Sequence, residues 1–208
     1  MSIEQRATVT IPLGEASVPT RFVSFNDLSD NKEHLAILYG TPEQDDTPLV
    51  RLHSECLTGD VFGSQRCDCG EQLHEAQRLL ADQGGVLLYL RQEGRGIGLY
   101  NKLDAYALQD KGIDTYTANE MLGFAHDMRD FKPAAEMLLA LGIKRIRLLS
   151  NNPHKASQLQ DFGIEVVDRQ DTGVYVNQHN AAYLKAKVDQ QAHTILLDQA
   201  RKPASNER

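Results

Sequence analysis

From residue 70 onward, helical stripes of apolar residues alternate with short apolar runs, and glycine stands at nearly every junction. Leu73, Ala76 and Leu80 recur at helical spacing over 70–82, Gly84-Gly85 stops that helix, and Val86-Leu87-Leu88-Tyr89-Leu90 reads as a buried strand. Leu99 to Lys111 predicts a second helix ended by Gly112, Pro133 to Leu141 a third ended by Gly142, and Arg145 to Leu149 a strand. Pro153 to Phe162 predicts a further helix stopped by Gly163, and Ile164 to Val167 a last strand. Such alternation favours a layered α/β/α domain. The segments near 7–12, 18–25, 34–40 and 48–54 are β-rich and separated by turn formers such as Pro12-Leu13-Gly14, so the sheet is expected to be mixed. With no internal repeat and no flexible linker, one domain over 1–197 is expected, helical from about 179, followed by a disordered polar tail over 198–208.

Charge narrows the partners. A net charge of −7 argues against a general nucleic-acid binder, which is normally basic. The charge is uneven, with four Lys/Arg against ten Asp/Glu in 1–60 and six against two in 129–155. A local positive field in an acidic chain suits a small polyanion, although a solvated helix face would give the same count. No apolar run approaches membrane-spanning length, and no stretch reads as a secretory leader, so a cytoplasmic protein is expected.

All three cysteines fall within fourteen residues, as Cys56, Cys67 and Cys69. In a reducing compartment that clustering favours a metal over a disulfide with one thiol left over, or three unrelated buried thiols. Three thiolates leave one corner of a tetrahedral zinc open to water, as in a catalytic site; His53, three residues upstream of Cys56, is an alternative fourth ligand that would close it. The Cys67-Asp68-Cys69 spacing is tight and requires an irregular backbone turn.

Three strand-to-helix junctions are further candidates, because ligands gather outside the carboxyl ends of strands in α/β sheets. Arg91-Gln92-Glu93-Gly94-Arg95-Gly96-Ile97-Gly98 lets backbone approach a ligand and offers two arginines, or is a plain flexible turn. Ser150-Asn151-Asn152-Pro153-His154-Lys155 opens a helix and makes an anion seat with Lys155, or an ordinary Asn cap. Asp127-Met128-Arg129-Asp130 flanks one arginine with two carboxylates, which is either functional or a cap with a surface ion pair.

Five ordered blocks, HSECLTGD with CDCG, RQEGRGIGL, NKLDAYALQD, LGFAHDMRDF and LLSNNPHK, span about 51 to 155 and resemble the signatures of GTP cyclohydrolase II of riboflavin biosynthesis. The resemblance implies a hydrolase acting on a cyclic amidine. It would open the imidazole ring of GTP at C8, release formate and pyrophosphate, and leave 2,5-diamino-6-(5-phosphoribosylamino)pyrimidin-4(3H)-one. It also implies Zn2+ on Cys56, Cys67 and Cys69, Mg2+ with the triphosphate, and a homodimer. Arg51, Leu52, His53, Ser54, Glu55, Gln72, Glu93, Gly94, Arg95, Thr115, Ser150 and Lys155 match its GTP-contacting positions. Chemically, Glu93 suits the guanine N1–H and amino group, and Arg95 and Lys155 suit phosphate oxygens. Tyr106 matches a tyrosine implicated in ring opening, Asp127 a proton acceptor and Arg129 a nucleophile. Because a guanidinium stays protonated and is a poor nucleophile, Arg129 as an α-phosphate clamp is the alternative. Ser150 stands where many members carry Thr and keeps the hydroxyl. A non-catalytic nucleotide sensor, and an enzyme that stops early by releasing pyrophosphate while leaving the ring closed or retaining the formyl group, are the rival functions.

Overall fold

The computed structural model describes residues 3–125 and 127–181. The chain divides into two interleaved units, one of 1–53, 73–91 and 131–173 and one of 54–72, 92–130 and 174–208. The expected polar tail over 198–208, and most of the helix expected from about 179, lie outside the described residues.

The first unit holds a seven-stranded sheet. Its strands are β1 (Glu4–Leu13), β2 (Val18–Asn26), β3 (Leu35–Tyr39), β4 (Leu49–Ser54), β5 (Gly85–Leu90), β6 (Arg145–Leu149) and β7 (Glu165–Gln170), in the order β1-β2-β3-β5-β4-β6-β7. Pairings β1/β2, β2/β3 and β3/β5 are antiparallel while β4/β6 and β6/β7 are parallel, so the sheet is mixed as expected. β1, β2 and β3 come from the β-rich start of the chain and pair as neighbours, whereas β5, antiparallel to β3, and the parallel strands β4, β6 and β7 are reached through helical connections.

Alternation along the strands makes two cores. Ala36, Leu38, Val50, Leu52, Val86, Leu88, Leu90, Ile146 and Leu148 pack with Ala134, Met137, Leu138 and Leu159 from α5 (Lys132–Ala140) and α6 (Pro153–Asp161). Ile37, Tyr39, Leu49, Leu87 and Leu149 pack with Leu73, Ala76 and Leu80 from α2 (Cys69–Gln83). Helices on both faces make the α/β/α layering. Gly85 shows how tightly the strand is hemmed in: at φ +135° a Cβ there would lie 2.2 Å from Leu49 O of the neighbouring strand β4 and 2.6 Å from Leu80 Cδ2 of α2. Only hydrogen fits there.

The second unit is helical. It contains the short α1 (Leu57–Asp60), a 3-10 turn at Glu93–Gly96, α3 (Leu99–Gln109) and α4 (Thr115–Met121). The reading of α3 from Leu99 holds, whereas α4 went unread because its Thr-rich stretch has no apolar stripe. Asp114 starts it, its carboxylate accepting from Thr117 N–H at 3.2 Å and Thr117 Oγ1 at 2.5 Å, and an Asp three residues before a Thr was the available signal.

Candidate metal centre and nucleotide residues

In the second unit the three thiols converge. Cys56 caps α1, Cys67 lies in the irregular turn before α2 and Cys69 is the first residue of α2. Leaving the helix axis between Cys67 and Cys69 is what lets two alternate residues face one point. The three sulfurs lie within 4.8 Å of one another, and Cys56 and Cys67 are buried. Cys56 Sγ and Cys67 Sγ are 3.6 Å apart, far too long for a disulfide. Two sulfurs at about 2.3 Å from a tetrahedral zinc would stand about 3.8 Å apart, so the cluster fits that ion. His53 belongs to the first unit and stacks on the Tyr89 ring with centroids 5.6 Å apart, and the candidate metal group found among the described residues is Cys56, Cys67 and Cys69.

Small residues make the room. Gly59 of α1 has no space for a side chain: a Cβ would lie 2.8 Å from Cys67 Sγ and 3.2 Å from Cys56 Sγ. On Gly70 a Cβ would meet Gly59 O at 2.6 Å.

Charge around the thiols is arranged asymmetrically. Lys102 of α3 is buried and donates to Cys56 Sγ at 3.2 Å, Thr58 Oγ1 at 3.0 Å and Glu93 Oε1 at 2.8 Å. Cys56 is held well below the usual thiol range, through hydrogen bonds from the Cys67 and Cys69 thiols and the Lys102 charge. Donating to that thiolate pushes Cys67 up to about 11 and also raises Cys69. Burial opposes the charge on Lys102, yet the Cys56 thiolate and the Glu93 hydrogen bond outweigh it and raise the ammonium's pKa. Nothing in the sequence reading singled out Lys102. The signal available was a lysine at helical spacing from Tyr106, one turn into the helix after the Gly-rich loop.

That loop folds as a strained turn. Gly94 (φ 61°, ψ 34°) and Arg95 (φ 59°, ψ 34°) are both left-handed, which is free for glycine and costs a residue with a Cβ. Glu93 is buried, with its carboxylate turned inward: Leu57 N–H donates to Oε2 at 2.7 Å and Gly94 N–H to Oε1 at 2.8 Å, besides Lys102. Arg95 O accepts from Met128 N–H at 3.0 Å, which sets the loop beside the Asp127-Arg129 segment.

There the ion pair is bidentate. Arg129 donates to Asp127 from Nε at 2.8 Å and from NH2 at 2.5 Å, and its own N–H reaches Oδ1 at 3.1 Å. Burial would raise the Asp127 carboxyl, but the Arg129 hydrogen bonds and the Arg129 and Arg95 charges bring it below its usual range. Neither aspartate of this segment caps α5, whose N-cap is Phe131 without a side-chain cap bond.

Tyr106 is half-buried on α3, with the Arg66 guanidinium 4.5 Å and the Lys102 ammonium 5.7 Å from its ring centroid. Arg66 also pairs with Asp110 at 2.5 Å. Gln72 donates to Asp68 Oδ2 at 2.7 Å, Glu55 and Ser54 are half-buried, and Thr115 opens α4.

The remaining expected nucleotide residues belong to the first unit. Arg51 and Lys155 are buried and donate to carbonyls, NH1 to Leu149 O at 3.1 Å and Nζ to Leu52 O at 2.8 Å. Leu52 and His53 are buried in β4. Ser150 is buried after β6, its Oγ accepting from Asn152 N–H at 3.1 Å, while Asn152 caps α6 by accepting from His154 N–H at 2.9 Å. The ordinary cap is therefore present.

Comparison with known proteins agrees with the motifs. The chain is 53% identical over 194 residues to GTP cyclohydrolase-2 of Vibrio parahaemolyticus, covering 92% of this chain and 98% of that protein. It is 52% identical over 196 residues to GTP cyclohydrolase-2 of Vibrio cholerae, covering 93% and 99%. It is also 50% identical over 189 residues to riboflavin biosynthesis protein RibBA of Bacillus cytotoxicus, covering 88% of this chain and 48% of that one. The sequence model of one family, GTP cyclohydrolase II, matches residues 4–171, and the chain belongs to that family.

Proposed function

We propose that this chain is a GTP cyclohydrolase II. It hydrolyses GTP, opening the imidazole ring at C8 to release formate and cleaving off pyrophosphate, to give 2,5-diamino-6-(5-phosphoribosylamino)pyrimidin-4(3H)-one, the first step of riboflavin biosynthesis. The observation that carries the reading is the convergence of three thiols within 4.8 Å, at a spacing that fits zinc, in a chain of this family. Cys56, Cys67 and Cys69 would hold the ion, which when bound supplies Lewis acidity and lowers the pKa of water towards neutrality.

The protein's own groups do the rest. Tyr106 sits on the helix that carries Lys102, with the Arg66 guanidinium 4.5 Å from its ring centroid, and it takes part in the ring opening. Arg95 and Arg129 bring positive charge for the phosphates, and Arg51, Ser150 and Lys155 complete the nucleotide contacts together with Leu52, His53, Ser54, Glu55, Gln72, Glu93, Gly94 and Thr115. Mg2+ accompanies the triphosphate, and the working form is a homodimer acting as one catalytic domain per chain.

Arg129 acts as a clamp. Its guanidinium is gripped in a bidentate pair by a carboxylate, an arrangement that stabilises the charged form and opposes the deprotonation a nucleophile would need. Asp127, held below the usual carboxylate range, is a weak base and serves to aim Arg129 at the α-phosphate.

Product analysis tests the function. Formate and pyrophosphate in equal amounts from GTP are expected; pyrophosphate alone would identify an enzyme that stops early, and neither product would leave a nucleotide sensor. A chelator should abolish formate release, and full activity in a metal-free preparation refutes the zinc reading. For the clamp, rapid quench with α-labelled GTP should yield no labelled protein; a labelled Arg129 peptide overturns it.

A further inference from the structure

We propose that Lys102 is a positioning residue for the metal centre: a buried cation that draws charge from the Cys56 sulfur and ties that sulfur, through Glu93, to the Gly-rich loop. The proposal rests on the zinc reading above. Three thiolates on one dication leave a net negative centre, which is a poor Lewis acid. A cation hydrogen-bonded to one thiolate offsets part of that charge and fixes the sulfur's orientation, the work of an outer-sphere partner.

The geometry is built for this. Lys102 is only 8% exposed, and its three acceptors at 2.8, 3.0 and 3.2 Å match the three protons of an ammonium. Glu93, also 8% exposed, grips Cys56 from the other side by accepting from the N–H of the next residue, Leu57, at 2.7 Å. The sulfur and the backbone of one ligand are thus held by the two halves of one ion pair. The loop is moulded to the lysine as well: a Cβ on Gly94 would lie 3.1 Å from Lys102 Cβ. A buried ammonium is expensive unless paired, so an apolar side chain would serve packing better. The competing account is a purely structural Lys102–Glu93 bridge between α3 and the loop, and that bridge has no reason to include a sulfur.

The test uses the full chain, loaded in turn with Zn2+ and Co2+. Lys102→Met should weaken zinc binding 10- to 100-fold in chelator competition. It should also move the thiolate-to-cobalt charge-transfer band to lower energy, because the sulfur becomes more electron-rich. The kcat for formate release should fall with the KM for GTP little changed, and Lys102→Arg, which keeps a cation at the sulfur, should return the band towards its wild-type position. Because Lys102→Met leaves Glu93 buried without its cation, which by itself destabilises the fold, Lys102→Met with Glu93→Gln is measured beside it. The double variant should share the affinity loss and the band shift. Wild-type affinity and an unmoved band in either folded variant overturn the proposal. Failure of the unmodified protein to bind zinc or cobalt refutes the metal reading itself, and this proposal with it.

Discussion

Gly59→Ala is the sharpest test of the thiol cluster. The added methyl would stand 2.8 Å from Cys67 Sγ, 3.2 Å from Cys56 Sγ and 3.2 Å from Cys69 Cβ, touching all three candidate ligands at once. Comfortable contacts begin at about 3.5 Å, so the Cys67 sulfur has to retreat by roughly 0.7 Å. A metal–ligand distance tolerates a change of only about 0.2 Å, so the sulfur cannot move that far and remain bound. Over-packing of this kind costs about 1–3 kcal/mol, and with about 1.4 kcal/mol per decade the zinc affinity should fall roughly 5- to 150-fold. Gly59 has an ordinary helical backbone and is absent from the positive-φ residues, so alanine brings no backbone strain. In the metal-free protein the thiols can rotate away, and helix propensity then favours alanine by up to about 1 kcal/mol. The assay is chelator competition for zinc beside urea unfolding of the metal-free form. A variant that binds zinc as tightly as the parent would refute the reasoning, since it would show that the sulfurs around Gly59 are not the ligands.

Further outcomes follow from groups elsewhere. Among the described residues the buried Tyr39 hydroxyl finds no hydrogen-bond partner, and burial pushes its pKa up to about 12; Tyr39→Phe should stabilise the fold by about 1 kcal/mol, read as a rise of roughly 2–4 °C in Tm. His34 accepts the Arg91 N–H on Nδ1 at 2.9 Å and faces Asp30 from Nε2 at 3.0 Å, so it is neutral with the proton on Nε2. Burial lowers its pKa below 6.5 against the pull of Asp30, so its contribution to stability is full above pH 6.5 and is lost as pH falls through the lower folded value. Urea midpoints should drop across that window, and less steeply in His34→Gln. Arg66→Met should leave the urea midpoint nearly unchanged and lower kcat several-fold with KM held, because it frees the Tyr106 ring; an unaltered kcat would show that the stacking is incidental.

Much of the sheet was legible because its signals are local. Alternate faces of β3 and β5 carry alternate core residues, and a glycine stop follows each of α2, α3, α5 and α6, so period and punctuation located them without long-range knowledge. The thiol cluster was legible for the same reason, since its three members are close in sequence. Strand order was not: β5 lies between β3 and β4, an insertion decided by which apolar faces meet across the sheet rather than by any residue in β5.

Orientation of the polar side chains was the least legible part. Glu93 matches a GTP-contacting position, and its carboxylate also accepts from Leu57 N–H, Gly94 N–H and Lys102, one of which lies 36 residues away along the chain and left no trace in the local sequence. Lys155 and Arg51 match GTP-contacting positions, and both also donate to backbone carbonyls about a hundred residues away. A buried cation must find acceptors wherever the fold supplies them, and backbone carbonyls carry no sequence signature. Composition can therefore announce that positive charge surrounds a site, while the acceptors that aim it emerge only once strands and helices have met. Lys102 is the extreme case. Its immediate neighbours Asn101 and Leu103 mark no site, and its significance comes entirely from Cys56, Thr58 and Glu93 arriving around one nitrogen.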